Sequence, residues 1–336
     1  MYQNISPIPK EVLEEKNRIV KQEYNGCFWK PCPGTGEGYL CCGYQIITPF
    51  IGCGMYCSYC VLQEYFNSQK YVIFQNIVEL EKEIHKKLNH IKGVVRVGTG
   101  EFADSLYFEH IHGLSSRVVS ILDSYPNVLT ELKTKSNNIK VLKRIKNPSK
   151  VVIGFSMNTE RIIEIHEKGT ASLENRMNAA VECEKMGFWV AFHFDPIIWY
   201  SQWYEEYKMV IDMIFSKIQD PGHIAWISLG GLRMMPSLKR RLRKYNRHIP
   251  LFAGEMIIAH DKKYRYFRPI RIDFYAAFRT IIEKYFPEIT LYLCMERQEV
   301  WRDSGLSKRI PHGLVKYLDS RAREILRYGK ENYSAI

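Results

Sequence analysis

The sequence has no run of 18 or more consecutive apolar residues, although 46% of its 336 residues are hydrophobic. A helix that spans a bilayer needs roughly 20 such residues, so we expect no membrane segment. The first twenty residues lack an apolar stretch and carry acidic side chains, which does not fit a secretory signal. Low-complexity tracts are absent as well. These absences predict a globular protein of the cytoplasm.

What the sequence does contain is sulfur and positive charge: nine cysteines and a formal net charge of +12. Without an export signal, cysteines indicate a reducing compartment, where thiols serve metals or chemistry rather than disulfides. A basic balance suits a polyanionic partner such as nucleic acid.

Short β-branched runs alternate with stretches of helical period along the middle of the chain. Such alternation predicts an α/β protein with a parallel sheet and right-handed crossovers. Six units are too few for an eight-stranded barrel, so we expect a partial (β/α)6 TIM-type barrel. We divide the chain into an N-terminal lead-in (1–42, with a helix near 9–22), the barrel (43–235) and a C-terminal α/β extension (236–336). The six predicted strands are 43–50, 93–100, 127–135, 150–158, 188–197 and 223–231.

Three cysteines follow the first predicted strand with the spacing C-x3-C-x2-C: Cys53, Cys57 and Cys60. A structural zinc site needs four protein ligands, and a [4Fe–4S] cluster is normally held by four thiolates. If three thiolates hold a cubane, the fourth iron keeps an open position for a small molecule. A zinc knuckle or three core thiols stay open as alternatives.

This motif, at the end of the first strand of a partial barrel, resembles the radical S-adenosylmethionine (SAM) superfamily. The resemblance implies a barrel of radical SAM type in which the open iron chelates SAM and one electron cleaves it to methionine and a 5′-deoxyadenosyl radical. It also implies that Tyr59 lies near the adenine. Gly100 and Glu101, in the stretch GTGE, resemble the glycine-rich motif that holds the SAM ammonium.

Further stretches resemble spore photoproduct lyases over residues 40–210: CSYCVLQ, ELKTK, GFSMN, HEKGTASLENRMNAA and WYEEY. By this resemblance Lys135 contacts the SAM carboxylate, and Ser156 and Asn158 approach the nucleoside. The resemblance further implies a DNA-repair lyase with a [4Fe–4S] cluster and SAM. Its expected partners are nucleic acid, DNA rather than RNA, and an electron donor of the flavodoxin or ferredoxin type.

The chain departs from the lyase pattern at two positions. Glu101 stands where that family has its hydrogen-donating cysteine, and Val61 stands where it has a tyrosine after the last cluster cysteine. Tyr59 remains as a catalytic candidate. Cys294 is a candidate replacement donor, with a buried core thiol as the alternative.

Basic and aromatic residues in the second half of the chain are candidates for a nucleic-acid groove, because cations contact phosphates and aromatic rings stack on bases. A solvated helix face is the alternative for the basic runs. His193 and Asp195 are candidates for substrate contact, with a structural His–Asp pair as the alternative. Whether Cys27, Cys32, Cys41 and Cys42 bind a second metal stays open. The groove candidates are Trp199, Trp203, Arg240, Arg241, Arg243, Tyr264, Arg265 and Tyr266.

The sequence therefore predicts a radical SAM enzyme similar to spore photoproduct lyase that repairs thymine-dimer damage in DNA. A different radical reaction on RNA or on a small molecule stays open, as does a non-catalytic iron–sulfur protein that binds nucleic acid.

Overall fold

The computed structural model describes residues 18–33, 38–65, 70–245 and 250–333, without the side chains of 243–245, 250 and 333. Within these ranges the strands are β1 (Ile19–Gln22), β2 (Trp29–Pro31), β3 (Gln45–Ile47), β4 (Phe50–Ile51), β5 (Tyr56–Cys57), β6 (Tyr71–Phe74), β7 (Val95–Gly98), β8 (Val128–Thr134), β9 (Val151–Ser156), β10 (Glu167–Lys168), β11 (Trp189–Ile197), β12 (Ile224–Gly231), β13 (Arg233–Met234), β14 (Met256–Ile258), β15 (Tyr264–Tyr266) and β16 (Leu291–Leu293). The helices are α1 (Leu62–Tyr65), α2 (Ile77–Leu88), α3 (Glu109–His112), α4 (Leu114–Asp123), α5 (Glu160–His166), α6 (Leu173–Lys185), α7 (Trp203–Lys217), α8 (Pro236–Tyr245), α9 (Arg268–Tyr285), α10 (Gln298–Asp303) and α11 (Leu314–Tyr333).

One curled eight-stranded sheet organises the chain, in the order β16-β12-β11-β9-β8-β7-β3-β2. The pairs from β16 to β3 are parallel, and β2 adds an antiparallel edge. All six predicted strands contribute to this sheet, which confirms the partial barrel. The edge strands β2 and β16 come from the predicted lead-in and from the predicted extension, so the boundaries at 42 and 235 stay a prediction.

The barrel strands are buried on both faces, as expected where helices cover a parallel sheet. Every residue of β12 is buried, and β9 is buried up to its last residue. Outside the sheet, α6 begins where the Ser172 hydroxyl accepts a hydrogen bond from the Asn175 N–H. After α6, Gly187 has a φ of +85°, a conformation that favours glycine and ends the helix.

Two predicted elements differ in the structure. Of the helix predicted near 9–22, the part up to residue 17 lies outside the described residues. Its last part forms strand β1, which pairs in parallel with β6. The strand predicted at 43–50 is divided into β3 and β4, and β4 pairs with β6 in a separate small sheet. Pro49 stands at the division, and a proline has no N–H to continue a ladder.

In parallel barrels, chemistry collects where the strands end at their carboxyl side. We call this end of the barrel the mouth. The predicted site residues that follow or end barrel strands at the mouth are Cys53, Cys57, Cys60, Gly100, Glu101, Lys135, Ser156, Asn158, Asp195 and Cys294.

No helix in the described part of the chain is both long and apolar enough to cross a membrane.

Candidate active site

The three-cysteine loop (residues 52–60) is folded tightly by its own backbone. Gly52 has a φ of +91°, and a Cβ on Gly54 would lie 2.3 Å from the ring of Tyr107, so both positions require glycine. The Cys60 N–H donates to the Cys57 carbonyl at 3.1 Å. Strand β5, inside the loop, pairs with β10, which places Cys57 opposite Glu167.

The three thiols of this loop are one fewer than the four protein ligands that a structural zinc site needs, and they fit a cubane with one open iron. Cys57 is buried, and Cys53 and Cys60 are half-buried; none of the three forms a disulfide. Burial raises the pKa of Cys57 well above its usual range, and the nearby Lys135 charge opposes this rise. Among the described residues, no three His, Cys, Asp or Glu side chains converge to hold one metal ion.

Three residues predicted to bind SAM meet at one buried carboxylate, Glu167. The Tyr59 hydroxyl donates a hydrogen bond to Glu167 Oε1. Lys135 Nζ and Asn158 Nδ2 each lie 3.3 Å from the same oxygen. The Lys135 ammonium also lies 5.8 Å from the centre of the Tyr59 ring. Three of the six positions named by resemblance for SAM therefore form one contiguous group, which includes Tyr59 of the three-cysteine loop.

A buried arginine neutralises this carboxylate. Arg176 Nη2 lies 2.6 Å from Glu167 Oε2, and both side chains are fully buried. Burial raises the pKa of Glu167, but the Arg176 and Lys135 charges outweigh it and hold that pKa at about 2. Arg176 also donates to the Ser156 carbonyl at 2.8 Å, which fixes the end of β9. The sequence assigned no role to Glu167 or Arg176, although both lie in the stretch HEKGTASLENRMNAA.

The segment after β7 packs against the end of β8. A Cβ on Gly100 would lie 2.8 Å from Lys133 Cβ, so the close approach of the two strands requires glycine. The buried Asp104 accepts the Lys135 N–H at 2.7 Å and the Thr134 hydroxyl at 2.8 Å, which sets the backbone that carries Lys135. Glu101 is half-buried and lies within electrostatic range of Lys133. Asp104 is a positioning residue that the sequence did not reveal.

Inside the barrel, a second buried carboxylate, Glu131, organises a polar network. Its Oε1 accepts from the Trp226 indole N–H at 2.8 Å and lies 2.8 Å from His193 Nε2. The other ring nitrogen of His193 lies 2.6 Å from the Ser228 hydroxyl. Burial raises the pKa of Glu131, but the His193 and Lys133 charges outweigh it and hold that pKa at about 2. His193 thus serves this network, and its contact with substrate stays a proposal.

We expect the Glu131 network to make the free energy of unfolding fall as the solution becomes acidic. The folded-state pKa of Glu131 lies below its ordinary value of 4.5, so its contribution is present above pH 4.5 and is lost as the pH falls towards 2. The full loss is about 3 kcal/mol, from roughly two and a half pKa units. Urea unfolding from pH 6 to pH 3, with Glu131→Gln as the variant, measures the part of this loss that is complete by pH 3, about 2 kcal/mol. Equal slopes of unfolding free energy against pH for variant and wild type would contradict the assignment.

Asp195 has a partner of its own at the mouth. Both of its carboxylate oxygens accept from one nitrogen, Arg233 Nη2, at 2.9 and 2.7 Å. The Cys294 thiol also donates a hydrogen bond to Asp195, and burial raises the pKa of Cys294 well above its usual range. A structural pair between His193 and Asp195 is therefore wrong, because each binds a different residue. Arg233 was missed by the sequence, since it lies on β13, beyond the last predicted strand.

The basic helix α8 lies beside the helix that follows the three-cysteine loop. Arg241 Nη2 contacts Gln63 at 3.2 Å and Glu64 at 3.0 Å, both on α1. Arg240 is exposed. The side chain of Arg243 lies outside the described residues. Helix α8 thus presents cations next to the mouth.

The other candidates for the nucleic-acid groove differ in how deeply they are buried. Arg265 and Tyr266 are buried, Arg265 against Asp261 at 2.7 Å and Tyr266 through a hydrogen bond to the Leu251 carbonyl at 3.0 Å. Tyr264 is half-buried, with Lys239 Nζ 3.6 Å from its ring centre. The remaining two candidates, Trp199 and Trp203, are half-buried against the core.

Comparisons with known proteins identify similar chains. A family model described as "Spore photoproduct lyase" matches residues 43–225. The spore photoproduct lyase of Clostridium acetobutylicum is 25% identical over 171 residues, 50% of this chain and 51% of that protein. The one of Bacillus subtilis is 25% identical over 196 residues, 57% of each chain. The chain thus matches little more than half the length of these relatives.

Solved structures of spore photoproduct lyase have the same fold. A mutant described with bound AdoMet and dinucleoside spore photoproduct superposes with a TM-score of 0.73 at 18% identity, over 87% of both chains. A second mutant gives a TM-score of 0.74 at 18% identity, over 87% of this chain and 88% of the other. The likeness extends over 87% of this chain, and it confirms the predicted partial barrel of radical SAM type.

Proposed function

The chain belongs to the spore photoproduct lyase family, and from this premise we propose that it is a radical SAM enzyme that repairs thymine-dimer damage in DNA. The observation that carries the proposal is the meeting of Tyr59, Lys135 and Asn158 at Glu167, beside three thiols suited to a cubane. The similar solved structure with bound AdoMet and dinucleoside spore photoproduct supports both the cofactor and the substrate class.

Different residues of the chain would bind the cluster and SAM. Cys53, Cys57 and Cys60 would hold a [4Fe–4S] cluster, which when bound with SAM supplies a 5′-deoxyadenosyl radical. Lys135 offers an ammonium to the SAM carboxylate, and Glu101 offers a carboxylate to its ammonium.

Nucleic acid would approach from the side of helix α8. Arg240 and Arg241 offer phosphate contacts near the mouth, and Tyr264 offers part of a ring for stacking. The net charge of +12 favours the same kind of partner. A small acidic electron-transfer protein of the flavodoxin or ferredoxin type is the proposed reductant.

The experiment that tests the proposal uses anaerobically reconstituted protein with SAM and a chemical reductant. Spore-photoproduct dinucleotide, undamaged DNA and undamaged RNA are incubated separately, and thymine and 5′-deoxyadenosine are measured. We expect catalytic release of thymine from the dinucleotide alone. Production of 5′-deoxyadenosine without thymine from any substrate would contradict the repair function.

A second candidate function is a different radical reaction on RNA or on a small molecule. Glu101 favours it, because this carboxylate stands at the position where the family has its hydrogen-donating cysteine. Glu101 also lies close enough to Lys133 and Lys263 to interact with their charges, so this part of the mouth carries charges of both signs. Because position 101 has no cysteine, the lyase reaction would need a hydrogen donor from elsewhere in the chain. Cys294 is the candidate.

Replacing Glu101 with cysteine separates the two functions. If the lyase substrate is the true one, E101C is expected to raise the thymine formed per 5′-deoxyadenosine by about tenfold, roughly 1.4 kcal/mol in partitioning. Glu101→Ser, which has no transferable thiol hydrogen, is the matched control and should not raise this ratio. Formation of 5′-deoxyadenosine without any thymine, in E101C as in the wild type, would favour the second candidate.

A further inference from the structure

The interior of the barrel carries two polar side chains that the Glu131 network does not satisfy. Glu131 on β8 contacts His193 on β11 and Trp226 on β12, and only a side chain on the concave face of the sheet can reach both strands. Lys133 lies two residues further along β8 and therefore on the same face. Its Nζ lies 4.6 Å from the centre of the Tyr44 ring, so Tyr44 lies in the interior as well. We call Tyr44 and Lys133 the interior pair.

The hydroxyl of Tyr44 is buried and has no hydrogen-bond partner among the described residues. Only 6% of the residue is exposed. A Cβ on Gly98 would collide with this hydroxyl, so the end of β7 requires glycine to admit it. A buried hydroxyl without a partner destabilises a fold and is rare in native proteins. A ligand that supplies the missing hydrogen bond accounts for its presence here.

The ammonium of Lys133 is also only partly used within the chain. Its Nζ lies 3.8 Å from Glu131 Oε2, an ion pair that is too long for a hydrogen bond. The side chain of Lys133 is 28% exposed, whereas that of Glu131 is 3% exposed. A ligand that enters the mouth can therefore reach the ammonium but not the carboxylate beneath it.

The charges around the interior pair balance, which bears on the kind of ligand. Glu131 is ionised at neutral pH, since its pKa is about 2. Burial lowers the pKa of Lys133, but the Glu131 charge outweighs it and raises that pKa well above its usual range. Glu101 and Lys263, which interact with each other, add one charge of each sign. A phosphate would find no excess of positive charge here, whereas a neutral ligand with hydrogen-bonding groups fits.

The hydrogen-bonding capacities of the pair specify that neutral ligand further. An ammonium can only donate, and a phenol hydroxyl can donate or accept. A carbonyl oxygen beside an N–H complements this set. The pair also lies close to the proposed SAM site, because Lys133 is two residues before Lys135, roughly 7 Å along an extended chain.

We propose that the interior pair binds the imide edge of a pyrimidine base, the carbonyl and N–H groups that thymine and uracil share. The Lys133 ammonium donates to a carbonyl oxygen of the base, and the Tyr44 hydroxyl accepts from the ring N–H. The inference rests on the proposed function, because it names the part of the thymine-dimer substrate that the barrel interior recognises.

Binding of spore-photoproduct dinucleotide to the reconstituted protein, with the cluster left oxidised so that no turnover occurs, tests the inference. Two matched probes carry a methyl group on the imide nitrogen of one base or of the other. We expect one of these probes to bind wild-type protein about tenfold more weakly, the effect of one hydrogen bond. Tyr44→Phe should bind the unmethylated dinucleotide about tenfold more weakly and should no longer distinguish the probes.

Two further variants make the binding result specific. Lys133→Met, which keeps the length of the side chain but has no donor, should also weaken binding of the unmethylated dinucleotide about tenfold. Tyr285→Phe removes a hydroxyl of an exposed tyrosine on α9. This matched control should bind all three probes as the wild type does.

Urea unfolding without substrate is the second measurement. Because the Tyr44 hydroxyl has no partner, Tyr44→Phe should not lower the urea midpoint. A lower midpoint with unchanged binding would indicate a hydroxyl satisfied by an ordered water only, and would overturn the inference. Equal affinity of wild type and Tyr44→Phe for the dinucleotide would overturn it at any midpoint.

The same experiment separates failure of the inference from failure of the proposed function. If wild-type protein binds the dinucleotide but releases no thymine after reduction with SAM, the repair function fails, and the comparison of Tyr44→Phe with wild type still decides the inference. If wild-type protein does not bind the dinucleotide, both are overturned.

Discussion

Replacing Glu167 with alanine is expected to destabilise the protein by about 3–5 kcal/mol, the cost of leaving a buried charge without its partner. Arg176 would remain fully buried with no carboxylate at 2.6 Å. Tyr59, Lys135 and Asn158 would lose their common acceptor. We therefore expect a lower urea midpoint together with weaker binding of SAM.

Two variants make this result specific. Glu182→Ala is the matched control on the neighbouring helix α6, because its ion pair with Lys185 is about half exposed and exposed pairs contribute about 0–1 kcal/mol. The double variant Glu167→Leu, Arg176→Met removes both charges and should recover part of the lost stability. If Glu167→Ala costs no more than Glu182→Ala, the buried pair does not have the role assigned to it.

Replacing Cys57 with alanine is expected to reduce bound iron from about four atoms per chain to near zero after reconstitution, since two remaining thiolates cannot hold a cubane. Cleavage of SAM should fall below detection. Iron analysis and chromatography of 5′-deoxyadenosine measure the two effects. The free energy of unfolding should change less than in Glu167→Ala, because no buried charge loses its partner.

The matched control is Cys27→Ala, which removes an exposed cysteine outside the three-cysteine loop. It should retain both iron and SAM cleavage. Equal loss of iron in Cys27→Ala and Cys57→Ala, or undiminished iron in Cys57→Ala, would contradict the assignment of the ligands.

The barrel was predictable because buried parallel strands leave a local signal. The runs that form β8, β9, β11 and β12 are apolar or β-branched and have the length of strands, so each could be recognised without knowledge of its neighbours. The edge strand β2 has three residues, including a proline, and carries no such signal. The division of the first strand at Pro49 depends on pairing with β6, which no local pattern shows.

The candidate site was predictable where one motif contains all the chemistry, as with Cys53, Cys57 and Cys60. Glu167 and Arg176 are nine positions apart and pair because a short strand and a helix meet there, so their roles depend on the tertiary structure. Arg265 illustrates the opposite error. Its basic and aromatic surroundings suggest a surface that contacts phosphates, yet its charge is buried against Asp261.

Electron paramagnetic resonance of the reduced, reconstituted protein, recorded with and without SAM, tests the three-thiol site most directly. We expect the signal of a reduced [4Fe–4S] cluster, and we expect SAM to change that signal because one iron has no protein thiolate. Purified protein that contains tetrahedral zinc, or a cluster signal that SAM leaves unchanged, would contradict the assignment.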